Sequence, residues 1–167
     1  MRPQFCGLRV PARPAETVPS ARRPRGDLLI RRAELSDFPA LADLYLAVRR
    51  STFAWLPASL FQREDFFRDT QGECVWVAVH DRRIIGFASV YLESAFLHSL
   101  YIAEDAQGSG IGSSLLDHVI HTTPGRVTLK CLTFNRAAQA FYAARGWSVI
   151  GSGESAHGPY LTFEAPI

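Results

Sequence analysis

The sequence predicts an α/β domain in which helices pack against a mixed sheet. Three observations predict it. Two β-rich runs, CVWVAVHD and RIIGFASVYLE, meet at Asp81–Arg83 and read as an antiparallel pair. Leu41, Leu44, Tyr45 and Val48 recur at the i, i+3, i+4, i+7 spacing of a helix with one buried face. A third β-rich run, AFLHSLYIAE, passes through the glycine string GSGIG into an apolar helical run.

The remaining elements follow in order. LLIRRAE (28–34) alternates weakly and reads as the first strand, and Ser36 is placed to cap the next helix, with Asp37 and Pro39 in its first turn. LFQREDFFRDT is a second, shorter helix. After the glycine string, Ile111, Leu115, Leu116, Val119 and Ile120 form the inner face of a helix. RVTLKCL is a strand, NRAAQAFYAARG a helix closed by Gly146, and WSVIGS and PYLTFEA a final strand pair. The order is β-α-α-β-β-β-α-β-α-β-β, with no internal repeat.

Composition narrows the function. A chain of 167 residues with 47% hydrophobic and 20% charged residues has enough apolar mass for one buried core. No apolar run approaches the ~18 residues of a membrane span. The net charge of +2 is unevenly spread. Residues 1–26 hold six arginines against Glu16 alone, together with five prolines, and read as a disordered tail; residues 27–167 form the folded domain and are mildly acidic. That balance leaves no nucleic-acid footprint on the domain. Cys6, Cys74 and Cys131 are odd in number and widely spaced, which argues against a disulfide framework or a zinc site and for a reducing, cytoplasmic setting.

The chemistry concentrates at residues 104–120. A glycine string before a helix leaves backbone N–H groups to meet an anion. A dinucleotide fingerprint from Gly108 needs glycine where Ser113 stands, and a P-loop needs Gly-Lys where Ser113-Ser114 stand. Both patterns fail. On the helix beginning near Asn135, a projection at 100° per residue puts Asn135, Ala138, Gln139 and Tyr142 on one face. Ala137, Ala140, Phe141 and Ala144 then fall on the other, which is expected to pack on the core.

Gln107-Gly108-Ser109-Gly110-Ile111-Gly112 resembles the Q/R-x-x-G-x-G/A loop of the GNAT superfamily of N-acetyltransferases, and NRAAQAFYAARGW (135–147) is similar to its second signature, with Trp147 as the closing aromatic. The resemblance covers residues 28–167. It implies a mostly antiparallel central sheet with splayed central strands, and transfer of an acetyl group from acetyl-CoA to an amine by direct attack in a ternary complex. It implies that Gln107, Gly108, Ser109, Gly110, Ile111, Gly112 and Ser113 hold the pyrophosphate, that the main chain of Leu100, Tyr101 and Ile102 meets the pantetheine, and that Asn135 contacts the CoA arm. Tyr142 is then the acid that protonates the departing thiolate.

For the base, His98 stands on the right strand, either as a proton relay or as an ordinary strand residue, whereas Glu93 is expected at a solvated hairpin end. His118 and His121 are expected on a solvated helix face, and His157 in a bend. Thr52, Phe53, Trp55 and Tyr160 are candidates for the acceptor pocket. The expected partners are acetyl-CoA and an amine acceptor, with no metal, nucleic acid or membrane, in a monomer or homodimer. A non-catalytic acyl-CoA-binding module on the same fold is the competing reading.

Overall fold

The computed structural model describes residues 27–167, so the expectation of a tail at 1–26 lies outside the described residues. Its strands are β1 (Leu29–Arg32), β2 (Cys74–His80), β3 (Arg83–Tyr91), β4 (Phe96–Ile102), β5 (Thr128–Leu132), β6 (Ser148–Ser155) and β7 (Gly158–Glu164). The helices are α1 (Phe38–Thr52), α2 (Asp65–Asp69), α3 (Ile111–Thr122) and α4 (Arg136–Ala143). They appear in the predicted order.

The sheet runs β1-β2-β3-β4-β5-β7-β6. Every neighbouring pair is antiparallel except β4–β5, which is parallel and joined at one residue pair, Phe96 with Thr128. Parallel neighbours need a crossover, and α3 supplies it. From Phe96–Thr128 onward the ladder does not continue, so the centre of the sheet opens as a wedge.

Two apolar layers fix this frame. On one face Leu97, Leu100, Leu115, Leu116, Val119 and Leu129 pack α3 against the sheet. On the other, Leu41, Tyr45, Phe66, Val77, Phe87 and Tyr101 pack α1 and α2. Strict alternation would put Leu97 and Leu100 on opposite faces. They share one because Ser89 pairs with Ser99 and Val90 with Leu97, leaving His98 as an extra, bulged residue.

Two local expectations are corrected. Helix α1 begins at Phe38, after a 3₁₀ turn over Leu35–Asp37, and Asp37 rather than Ser36 organises its entry. The Asp37 carboxylate accepts the Glu34 N–H at 2.8 Å and holds Arg31 at 2.7 Å; a carboxylate reaches both donors where a serine hydroxyl reaches one. The buried face of α4 is the reverse of that expected. Ala138 and Tyr142 are fully buried, Phe141 is half-buried, and Ala140 and Ala144 are exposed. A tyrosine ring buries far more apolar surface than the methyls of three alanines, so the ring decides which face turns inward.

Candidate active site

The wedge has two walls, a glycine loop above it and a polar cavity on the α1–α2 side. The loop follows from β4. Gly108 (φ +77°) and Gly110 (φ +88°) occupy the left-handed region, and a Cβ on either would meet nothing within 4 Å. Glycine is therefore required there by backbone conformation and not by crowding. Gly110 is the N-cap of α3 and provides no side-chain cap, so no side chain covers the first-turn N–H groups at that position. Gly112 and Ser113 lie in that first turn.

The polar side chains of the loop are engaged within it. Gln107 Nε2 donates to the Ile102 carbonyl at 3.1 Å, and Ser109 Oγ donates to the Ala106 carbonyl. Ser113 Oγ accepts from Arg145, whose guanidinium also lies 3.6 Å from the centre of the Phe141 ring. Burial lowers the Arg145 pKa from its ordinary value. Arg145 thus brings a cation to the start of α3 from the far end of α4, a position that the linear motif does not mark.

The main chain of β4 can be read from its ladder. The Ala103 N–H bonds to the Ile85 carbonyl on β3 at 2.8 Å. Main-chain groups alternate sides along a strand, so Tyr101 also turns its groups to β3 while Leu100 and Ile102 turn theirs toward β5. The bond from Gln107 to Ile102 agrees with this. Of the three residues expected to face the wedge with their backbone, two do; Tyr101 instead puts its ring among Tyr45 and Phe87, with centroids 5.2 and 5.6 Å away.

Asn135 is the N-cap of α4, its Oδ1 accepting the Ala138 N–H at 3.2 Å. Tyr142 is held by Phe141, Trp147 and Phe163, with ring centroids 5.3, 5.5 and 5.8 Å away.

On the opposite face of the sheet, Glu73, Tyr91, Ser94, Phe96, His98, Thr128 and Lys130 line a cavity of about 400 Å³. His98 and Lys130 each stand two residues beyond the last β4–β5 pair, one on either side of the opening wedge. His98 Nδ1 lies 2.6 Å from Glu73 Oε1, and the two side chains are only 3% and 4% exposed. Opposite an ionised carboxylate, which only accepts, Nδ1 is the donor of this contact. Sequence reasoning missed Glu73, which lies in the turn between α2 and β2, 25 residues from its partner. Lys130 Nζ sits over the Tyr160 ring at 4.7 Å.

The other candidates are scattered. Glu93 is exposed, as expected. His118 is not simply solvated, because its ring packs edge-on against Trp76 at 4.3 Å. Phe53 and His157 border a crevice with Tyr45, Arg49, Phe61 and Leu132, whereas Trp55 is largely exposed. Among the described residues no group of three or more His, Cys, Asp or Glu side chains is placed to hold a metal ion, and no helix is long and apolar enough to cross a membrane.

The site is thus a wedge between parallel strands, below a left-handed glycine loop at a helix start. The match to the acetyltransferase (GNAT) family model spans residues 38–147, and the chain belongs to that family. It is an acetyl-CoA-dependent N-acetyltransferase. It is 27% identical over 128 residues to the peptidyl-lysine N-acetyltransferase YiaC of Escherichia coli, covering 73% of this chain and 84% of that protein. The apo form of E. coli YjaB superposes with a TM-score of 0.69 at 23% identity, over 83% of this chain and 97% of that one. Salmonella typhimurium yncA, in a structure with its cofactor acetyl-CoA, has a TM-score of 0.63 at 20% identity, over 83% and 92% of the two chains.

Proposed function

We propose that the chain transfers the acetyl group of acetyl-CoA to the primary amine of a lysine side chain, by direct attack within a ternary complex. The observation that carries this reading is the wedge, closed at Phe96–Thr128 and open toward the glycine loop. The pyrophosphate lies against the N–H groups of Gly108–Ser113 at the positive end of α3, with Arg145 adjacent. The pantetheine follows β4 and meets the groups of Leu100 and Ile102 that turn toward β5, with Asn135 on the CoA arm. The Leu100 N–H polarises the thioester carbonyl.

The acceptor enters from the cavity that contains His98. His98 Nε2 takes a proton from the ammonium, and the freed amine nitrogen bonds to the carbonyl carbon. The carbon–sulfur bond breaks and the thiolate takes the phenolic proton of Tyr142; the second proton of the acylated nitrogen passes by way of water to the Tyr142 phenolate, leaving a neutral amide and CoA thiol. A lysine acceptor is favoured by the name of the relative YiaC and by a cavity large enough for an aminoalkyl chain.

The test is incubation of the protein with acetyl-CoA and a panel of amines that includes lysine peptides, reading free thiol release. The expected result is lysine-dependent release with acetyl-lysine as product. Tight acetyl-CoA binding without release for any amine would replace this reading with that of a non-catalytic acyl-CoA-binding module.

A further inference from the structure

Resting on the transferase reading above, we infer that Glu73 is the positioning residue of His98, and that the pair selects an acceptor arriving as an ammonium ion. The first part follows from geometry. The bulge in β4 takes His98 out of the ladder and turns it to the cavity. A side chain at a bulge needs another restraint, and the carboxylate 2.6 Å from Nδ1 supplies it. With Nδ1–H committed to Glu73, the neutral ring presents a lone pair at Nε2.

The second part follows from charge. Glu73 Oε2 is buried with no hydrogen-bond partner. An orphaned carboxylate oxygen is costly and calls for a reason. Sealed from solvent, the carboxylate acts on the imidazole with little screening. Carboxylate and neutral imidazole together carry one negative charge. When an ammonium approaches, the cavity contains that negative pair and one positive acceptor. When the N–H bond breaks and the proton moves to Nε2, it contains a Glu73 carboxylate, a His98 imidazolium and a neutral amine. The three groups sum to zero before and after the transfer, whereas a neutral amine leaves the negative charge of the buried pair uncompensated. A weakly basic amine that arrives neutral gains nothing from this arrangement. The other ionisable groups around the cavity are Tyr91 from β3 and Lys130 from β5, and the Lys130 ammonium rests on the Tyr160 ring.

The experiment compares wild type and Glu73→Gln with two acceptors, Nα-acetyl-lysine amide and the neutral aromatic amine p-anisidine. Glutamine keeps an oxygen for Nδ1–H and removes the charge. The expected result is a loss of about 10²-fold in kcat/KM for the lysine amide, a change of only a few-fold for p-anisidine, and an unchanged acetyl-CoA KM. The acid limb of the lysine amide profile moves to lower pH, because the imidazolium has lost its neighbouring negative charge. Equal losses for both acceptors, or no loss for either, would overturn the inference.

A second measurement uses the wild-type protein alone. With ¹⁵N-labelled histidine and His98→Gln for assignment, neutral His98 should be protonated at Nδ1 and bare at Nε2. The reverse tautomer would overturn the pair. A wild type that releases no CoA with any amine would count against the transferase reading, while the tautomer would still decide the contact.

Discussion

Replacing Tyr142 separates the chemistry of its hydroxyl from the packing of its ring. The ring is fully buried among Phe141, Trp147 and Phe163. Tyr142→Phe keeps these contacts and removes one oxygen, for a loss of about 1 kcal/mol at most. In a domain of this size that is a fall of roughly 2–4 °C in Tm. If the hydroxyl protonates the departing thiolate, its loss costs about 10²–10⁴ in rate. A CoA thiolate can leave without its proton, which puts the expectation at the low end, near 10². Tyr142→Ala should instead cost about 3–5 kcal/mol, the range for emptying an aromatic site in a core, and lower Tm by roughly 10 °C or more. The assay is thiol release at saturating acetyl-CoA and acceptor over a pH series, alongside thermal melts. A Tyr142→Phe enzyme with wild-type kcat at every pH would refute the acid role and leave Tyr142 as packing alone.

Gly110→Asp puts a side chain on a left-handed residue at the start of α3, at about 1–2 kcal/mol of backbone strain, and on the proposed reading it sets a carboxylate beside the phosphates. Acetyl-CoA affinity measured by calorimetry should fall at least ~100-fold from the charge, against a much smaller loss for Gly110→Ala. Equal losses would assign the effect to strain. Asp65 tests the brace between α1 and α2. Burial pushes its carboxyl up, but the Gln62 N–H and the Arg49 guanidinium outweigh this and hold it below its ordinary value. Its contribution is therefore complete above the unfolded carboxyl pKa and is lost as pH falls through the lower folded one. Asp65→Asn leaves Arg49 buried without its ion pair, and urea melts should show a loss of about 3 kcal/mol at neutral pH that narrows on acidification. A gap that stays constant down to low pH would refute the assignment.

The element order was legible because each element carries its own period or turn. The inner face of α3 was legible because four of its five predicted residues are large aliphatics that end up buried. On α4 the reading failed, because counting apolar positions gives each alanine the weight of a tyrosine. The β4 bulge left a trace that alternation alone overlooks: Leu97, Leu100 and Ile102 share a cluster at spacings of three and then two. The glycine loop was visible as a motif, whereas Glu73 and Arg145 were not. Both reach the site through tertiary packing, Glu73 across 25 residues and Arg145 across 32, and nothing local distinguishes them from other charged surface residues.

The same crossover that makes β4 and β5 parallel bears on how a CoA-like chain would fit between them. A strand inside a sheet turns half of its main-chain groups toward each neighbour, and those groups need partners. Beyond Phe96–Thr128 the β5 backbone diverges from β4. At Ile102 the protein provides a partner itself, since the Gln107 side-chain amide donates to that carbonyl at 3.1 Å. A primary amide therefore stands where a neighbouring strand's N–H would be. The pantetheine arm carries secondary amides of the same donor type, and Leu100 is the next residue toward the closed end that faces the same way. On the proposed reading, ligand amides would stand along β4 in place of β5, anchored by phosphates at the glycine loop. The thioester would then come down toward His98, where the bulge turns the imidazole and its buried carboxylate to the cavity.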